Sequence, residues 1–71
     1  MKVKVDGGLV GVGDSVCFKS DYEQYGKIVE IKRSNWGNGY ELVIENPNGF
    51  GGDYLRYATR TVERAADCWV E

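Results

Sequence analysis

The chain contains no histidine. The side chain that titrates nearest neutral pH is therefore missing, and with it the usual general base and the commonest metal ligand. Two cysteines, Cys17 and Cys68, cannot complete a zinc shell alone, so neither a metal nor a cofactor is expected. No nucleophile motif is present, and the expectation is a protein that is not an enzyme. Long apolar runs are also missing. Met1 to Asp6 alternates charged and apolar residues, and nothing approaches the length of a signal peptide or a membrane span. The expected location is the cytoplasm, away from membranes, where Cys17 and Cys68 should be free thiols. Positive charge is in deficit, with 9 Lys and Arg against 11 Asp and Glu and a net charge of −2. Binding to nucleic acid through a generally basic surface is thereby disfavoured, although a local basic patch stays open.

What is present suits one small β domain over residues 1–71, with 1–9 as an N-terminal extension or an extra strand. Such a chain buries only about 60% of its unfolded surface. Aromatic residues, 13% of the total, must then supply much of the core. Ten glycines and a single proline divide the chain into short strands and turns.

Gly13-Asp14 reads as a turn, and the strand after it should point Val16 and Phe18 inward and Ser15, Cys17 and Lys19 outward. Ser20 to Gly26 reads as a polar loop carrying two tyrosines. Lys27 to Arg33 is a β-branched strand in which Ile28 and Ile31 can both face in only with a bulge near Val29 or Glu30. Ser34 to Gly39, with its Asn38-Gly39 pair, is a hairpin turn, and Tyr40, Leu42 and Ile44 share one face of the next strand. Asn46 to Gly49 turns again. The last third is ambiguous. Leu55, Ala58, Val62, Ala65 and Trp69 keep helical spacing, but Thr59 to Val62 is poor in helix formers. The preferred reading is an irregular segment or one helical turn near Asp53 to Tyr57, a strand over about 58–63, a short turn at 64–67, and a closing strand Cys68-Trp69-Val70.

This order resembles the SH3-like small β-barrels, including the KOW and Tudor-like types. The residues that carry the likeness are Val12-Gly13-Asp14-Ser15-Val16, Gly26-Lys27-Ile28-Val29-Glu30-Ile31 and Ala66-Asp67-Cys68-Trp69-Val70. The chain also looks like small proteins of tailed bacteriophages. The fold expected is all-β, a five-stranded SH3-like barrel with a short helical turn near the C-terminus. The alternative is α+β, a small antiparallel sheet with one C-terminal helix. Barrels of this kind commonly bind proteins or nucleic acids. In a barrel the first and last core strands are neighbours. Cys17 and Cys68 should then face each other across them on the outer surface, within disulfide reach, with Trp69 in the core.

Three groups of residues invite a functional reading. Tyr22, Tyr25 and Trp36 lie in predicted loops, and Tyr54 and Tyr57 in the irregular segment. They are candidates for partner contact, because tyrosine and tryptophan anchor interfaces disproportionately. The competing reading has the rings capping the ends of the barrel. Arg56, Arg60 and Arg64 recur every four residues and align on one face, as an anion or nucleic-acid patch or as a solvated face paired with Glu63, Asp67 or Glu71. Gly49 to Asp53 suggests a phosphate loop but lacks the lysine and hydroxyl of a P-loop, and a plain turn is the better reading.

Three functions are compatible with these residues. The first is a protein-binding module, on a phage origin a modulator of a host protein acting in the host cytoplasm. The second is a nucleic-acid binder built on the arginines. The third is a homo-oligomer that sequesters a small anionic ligand at Arg56 or Arg60.

Overall fold

Two short strands, β1 (Val3–Val5) and β2 (Gly8–Val10), open the chain as an antiparallel hairpin turned at Asp6-Gly7 in the computed structural model, which describes every residue except Trp36 and Asn38. Gly7 takes φ 95°, the left-handed region that a two-residue turn demands and glycine enters freely. The extra N-terminal strand is therefore a pair of strands.

The main sheet has the order β3 (Ser15–Ser20), β4 (Tyr22–Arg33), β5 (Tyr40–Glu45), β6 (Arg60–Arg64), each antiparallel to the next. One helical turn, α1 (Gly52–Leu55), interrupts the passage from β5 to β6, and a 3-10 turn, Ala65–Asp67, follows β6. The molecule is all-β. The long C-terminal helix of the α+β alternative is absent, because the helical stretch ends at Arg56 in left-handed geometry.

Alternation places the core. Val16 and Phe18 of β3, Ile28 of β4, and Leu42 and Ile44 of β5 are buried on the inner face of the sheet with Phe50. Val3, Val5, Val10, Ala65 and Cys68 pack against them. Phe18 and Phe50 meet edge to face, with ring centroids 5.2 Å apart. The expected bulge is present. Ile28 pairs with Ile44 but Glu30 with Val43, so Val29 is the extra residue, and Ile31 returns to the inner face.

Four expectations need correction. The sheet does not close into a five-stranded barrel. Six strands form two antiparallel sheets, joined at Trp69 by isolated bridges to Asp6 and Cys17. Ser20 to Gly26 is not a loop. Asp21, at φ 67°, turns the chain on itself, and β4 starts at Tyr22 and runs unbroken through this polar stretch. The strand placed at 58–63 begins later, at Arg60, and the closing strand reduces to the single bridging residue Trp69. Finally, Cys17 pairs with Trp69, not with Cys68. That one-residue offset puts Trp69, half-buried, beside Cys17 on the outer face and sends Cys68 into the core at 1% exposure. The cysteines are close in the chain pairing but lie on opposite faces. The Asn38-Gly39 turn expectation falls partly outside the described residues.

Gly26 marks the tightest approach within the sheet. A Cβ there would stand 2.6 Å from Ile44 Cγ2 and 2.8 Å from the Glu45 carbonyl oxygen. One of these atoms is backbone, so β5 itself must move. Gly26→Ala should destabilise the protein by about 1–3 kcal/mol through overpacking. A thermal melt is the check, with a fall of roughly 4–8 °C expected for each kcal/mol; an unchanged midpoint would contradict this packing.

Candidate functional site

The tip of the β3–β4 hairpin and the segment 46–57 meet at one end of the molecule, and polar groups hold them together. Gln24 faces inward at 7% exposure. Its Nε2 donates to the Ser20 carbonyl at 2.8 Å and the Gly51 carbonyl at 3.0 Å, and its Oε1 accepts from the Gly51 N–H at 2.7 Å. A buried amide is tolerated only when its donors and acceptor are satisfied in this way. Asp21 supplies the second link, its Oδ2 accepting from the Tyr54 N–H at 2.9 Å. This carboxylate caps α1 from across the molecule, where the cap residue Gly51 offers no side chain.

Four tyrosines stand around this joint. Tyr22 and Tyr25 are exposed, and Tyr54 and Tyr57 are each 81% exposed. Tyr22 lies over Gly51, where an added Cβ would collide with its hydroxyl. Tyr22 and Tyr25 line a shallow depression of about 230 Å³ with Asn46 and Asn48. Asn46 Nδ2 donates to the Tyr25 carbonyl at 3.2 Å. Tyr57 returns the chain to the same place, its N–H donating to the Phe50 carbonyl at 2.8 Å. The structure places the four tyrosines singled out in the sequence at this end of the molecule, Tyr22 and Tyr25 on β4 and not in a loop, Tyr54 in α1 and Tyr57 in the turn that follows it. Trp36 lies outside the described residues.

Backbone strain is concentrated in the same segment. Arg56 and Tyr57 are consecutive non-glycine residues in the left-handed region, at φ 50° and 66°. Each such residue costs about 1–2 kcal/mol relative to right-handed geometry. Neither side chain is buried in return.

The arginines separate. Arg60 and Arg64 lie on the outer face of β6, but Arg56 belongs to the end of α1, so the three do not form a row. Arg60 Nε donates to Glu45 Oε2 at 2.7 Å, and Arg64 Nε stands 3.5 Å from Asp67. Register extends the pattern across the sheet as Lys27–Glu45–Arg60 and Lys32–Glu41–Arg64. Alternating charge of this kind describes a solvated sheet face. The phosphate-loop reading of Gly49 to Asp53 also fails, because Gln24 takes the Gly51 N–H and the Asp21 carboxylate takes the Tyr54 N–H.

Neither thiol is activated. Burial pushes the Cys68 thiol up to about 12, with Glu63, Asp67 and Cys17 adding to the effect, and its Sγ donates to the Arg64 carbonyl at 3.4 Å. Cys17 is also raised, by burial first and then by Glu71 and Glu23. Among the described residues no group of three or more metal-ligating side chains converges, and no helix is long and apolar enough to cross a membrane. No protein-family model matches the chain, nor does any curated protein or solved structure.

Sequence reasoning missed Asp21 and Gln24 as organisers of this end. The only local signal was an Asp at the centre of a polar stretch, a residue type that accepts left-handed geometry.

Two outcomes follow. Arg56→Gly removes a side-chain penalty at a helix C-cap and should raise stability by about 0.5–1 kcal/mol, read by urea titration; a loss of stability would mean that the arginine side chain holds the turn. Cys68 titrates near 9.0 when unfolded and about 12 when folded. Its contribution to stability is therefore complete below pH 9 and is lost as pH rises from 9 toward 12. The stability gap between wild type and Cys68→Ala should narrow as pH rises from 9.0 toward about 12. A constant gap would place Cys68 in contact with solvent.

Proposed function

We propose that this chain is a non-enzymatic protein-interaction module that presents the tyrosine-rich end to another protein. The observation that carries the reading is the pair Tyr54 and Tyr57, each 81% exposed. Tyr57 and its neighbour Arg56 are held in strained left-handed geometry that gives no burial to the fold. Strain of this kind persists where surrounding structure over-determines it, and it accumulates at functional sites. Tyrosine suits the task because a rigid ring with one hydroxyl offers contact area and a hydrogen bond at low entropic cost. The Gln24 and Asp21 links pre-organise the surface, which lowers the ordering cost of association.

The partner's complementary surface should supply aromatic or aliphatic anchors and hydroxyl-pairing groups. Asp21, Glu23 and Asp53 around the tyrosines favour a partner surface that is not acidic. The likeness to small phage proteins makes a bacterial host protein the first class to screen, with the cytoplasm as the compartment.

Capture from bacterial lysate with the immobilised domain should return one stoichiometric partner. Tyr54→Ser combined with Tyr57→Ser should abolish that capture while leaving the melting temperature unchanged, since both rings are exposed. Capture of the same partner by the double variant, or of no partner by the wild type, would overturn the reading.

A further inference from the structure

At the other end of β4 from the tyrosines lies a cleft of about 480 Å³ between β1, the residues Ser34, Gly39 and Tyr40, and the end of β6. Its volume falls within the ordinary range for small-molecule sites, about 300–1,000 Å³. Lys2 and Lys4 form one wall, Arg64 with Ala65 another, and Tyr40 a third. The guanidinium of Arg33 lies over the Tyr40 ring, 5.7 Å from its centroid. Among the described residues no carboxylate lines the cleft.

That last fact is the informative one. The chain carries an excess of acid and a net charge of −2, yet the charged residues that line this cavity, Lys2, Lys4 and Arg64, are all cationic. On the sheet's outer face Arg60 stands opposite Glu45, and Arg64, which reaches the cleft, stands opposite Glu41. Lys2 and Lys4 form no ion pair among the described residues. Arg64 has Asp67 at 3.5 Å, in an exposed contact that a multiply charged phosphate can displace. Burial of Val3 and Val5 in the core fixes the strand that carries Lys4. Packing of Tyr40 on that same core fixes the aromatic wall.

We propose that this cleft binds a nucleotide, free or within a single strand, with its phosphate held by Lys2, Lys4 and Arg64 and its base against Tyr40. Cations beside an aromatic wall are the elements that hold phosphate and base together. The site stands apart from the tyrosine-rich end, so its test is independent of the protein-binding reading.

Calorimetric titration at low ionic strength with ATP, a short oligothymidylate and inorganic pyrophosphate provides that test. Saturable binding of ATP or of the oligonucleotide is expected, with the stronger of the two identifying the source. Lys2→Glu with Lys4→Glu should weaken it by about tenfold or more, and added salt should weaken it steeply. Lys19→Glu, a charge reversal on β3 away from the cleft, should not alter it. Tyr40→Leu, which keeps an apolar side chain on the core, should weaken nucleotide binding and leave pyrophosphate unaffected. Circular dichroism and melting of each variant separate lost binding from lost folding. The proposal is overturned by absence of binding to both nucleotide probes, by equal affinity for pyrophosphate and ATP, or by equal weakening in Lys19→Glu.

Discussion

Trp69 exchanges both of its backbone hydrogen bonds with Cys17, at 2.8 and 2.9 Å, while Asp6 on its other side bonds the Cys68 carbonyl at 3.1 Å and the Val70 N–H at 2.9 Å. No ladder runs directly between the two sheets among the described residues, so this one residue joins them. A two-stranded hairpin is marginal on its own in water. Val3, Val5 and Val10 stay buried because the C-terminal segment holds their hairpin against the core of the larger sheet. Cys68 completes the seal from the neighbouring position. The alternation that places Trp69 against Cys17 turns Cys68 inward, and burial then keeps its thiol protonated.

The two ends of the molecule differ in their physical means. Around Asp21 and Gln24, three backbone segments are locked by side-chain amide and carboxylate hydrogen bonds, and the rings outside that lock face solvent. At the cleft, positions are set by the apolar core: Val3, Tyr40 and Ala65 pack inward, and their neighbours Lys2, Lys4 and Arg64 are carried to the rim. Strand β4 spans both, with Tyr22 at one end and Arg33 at the other. A negative net charge therefore coexists with cations at the cleft, because Lys4 stands opposite Leu9 in the hairpin and not opposite a carboxylate.

Much of the fold was legible along the chain. Alternation identified Val16, Phe18, Leu42 and Ile44 as inward-facing, since side chains on a strand alternate whatever lies opposite. The bulge at Val29 followed from the need for Ile28 and Ile31 to share a face. The single helical turn followed from β-branched residues after Ala58. The candidate tyrosines were legible as residue types, but the reason for their exposure was not. Ser20 to Gly26 looks like a loop because it is polar, and it is strand because Gln24 finds Gly51, 27 positions away, to satisfy its amide.

Residue type and spacing favoured an all-β domain with an aliphatic and aromatic core over the α+β alternative, and they fixed the lack of histidine chemistry and of any surplus of positive charge. Tertiary structure decided where the sheet ends, which cysteine is buried, which arginines are paired and where Lys2 and Lys4 stand. The physical reason is that alternation is a local property of the backbone, whereas register is set by contacts between distant segments. One residue of offset at Trp69 exchanges the faces of Cys68 and Trp69, and no local pattern encodes that offset.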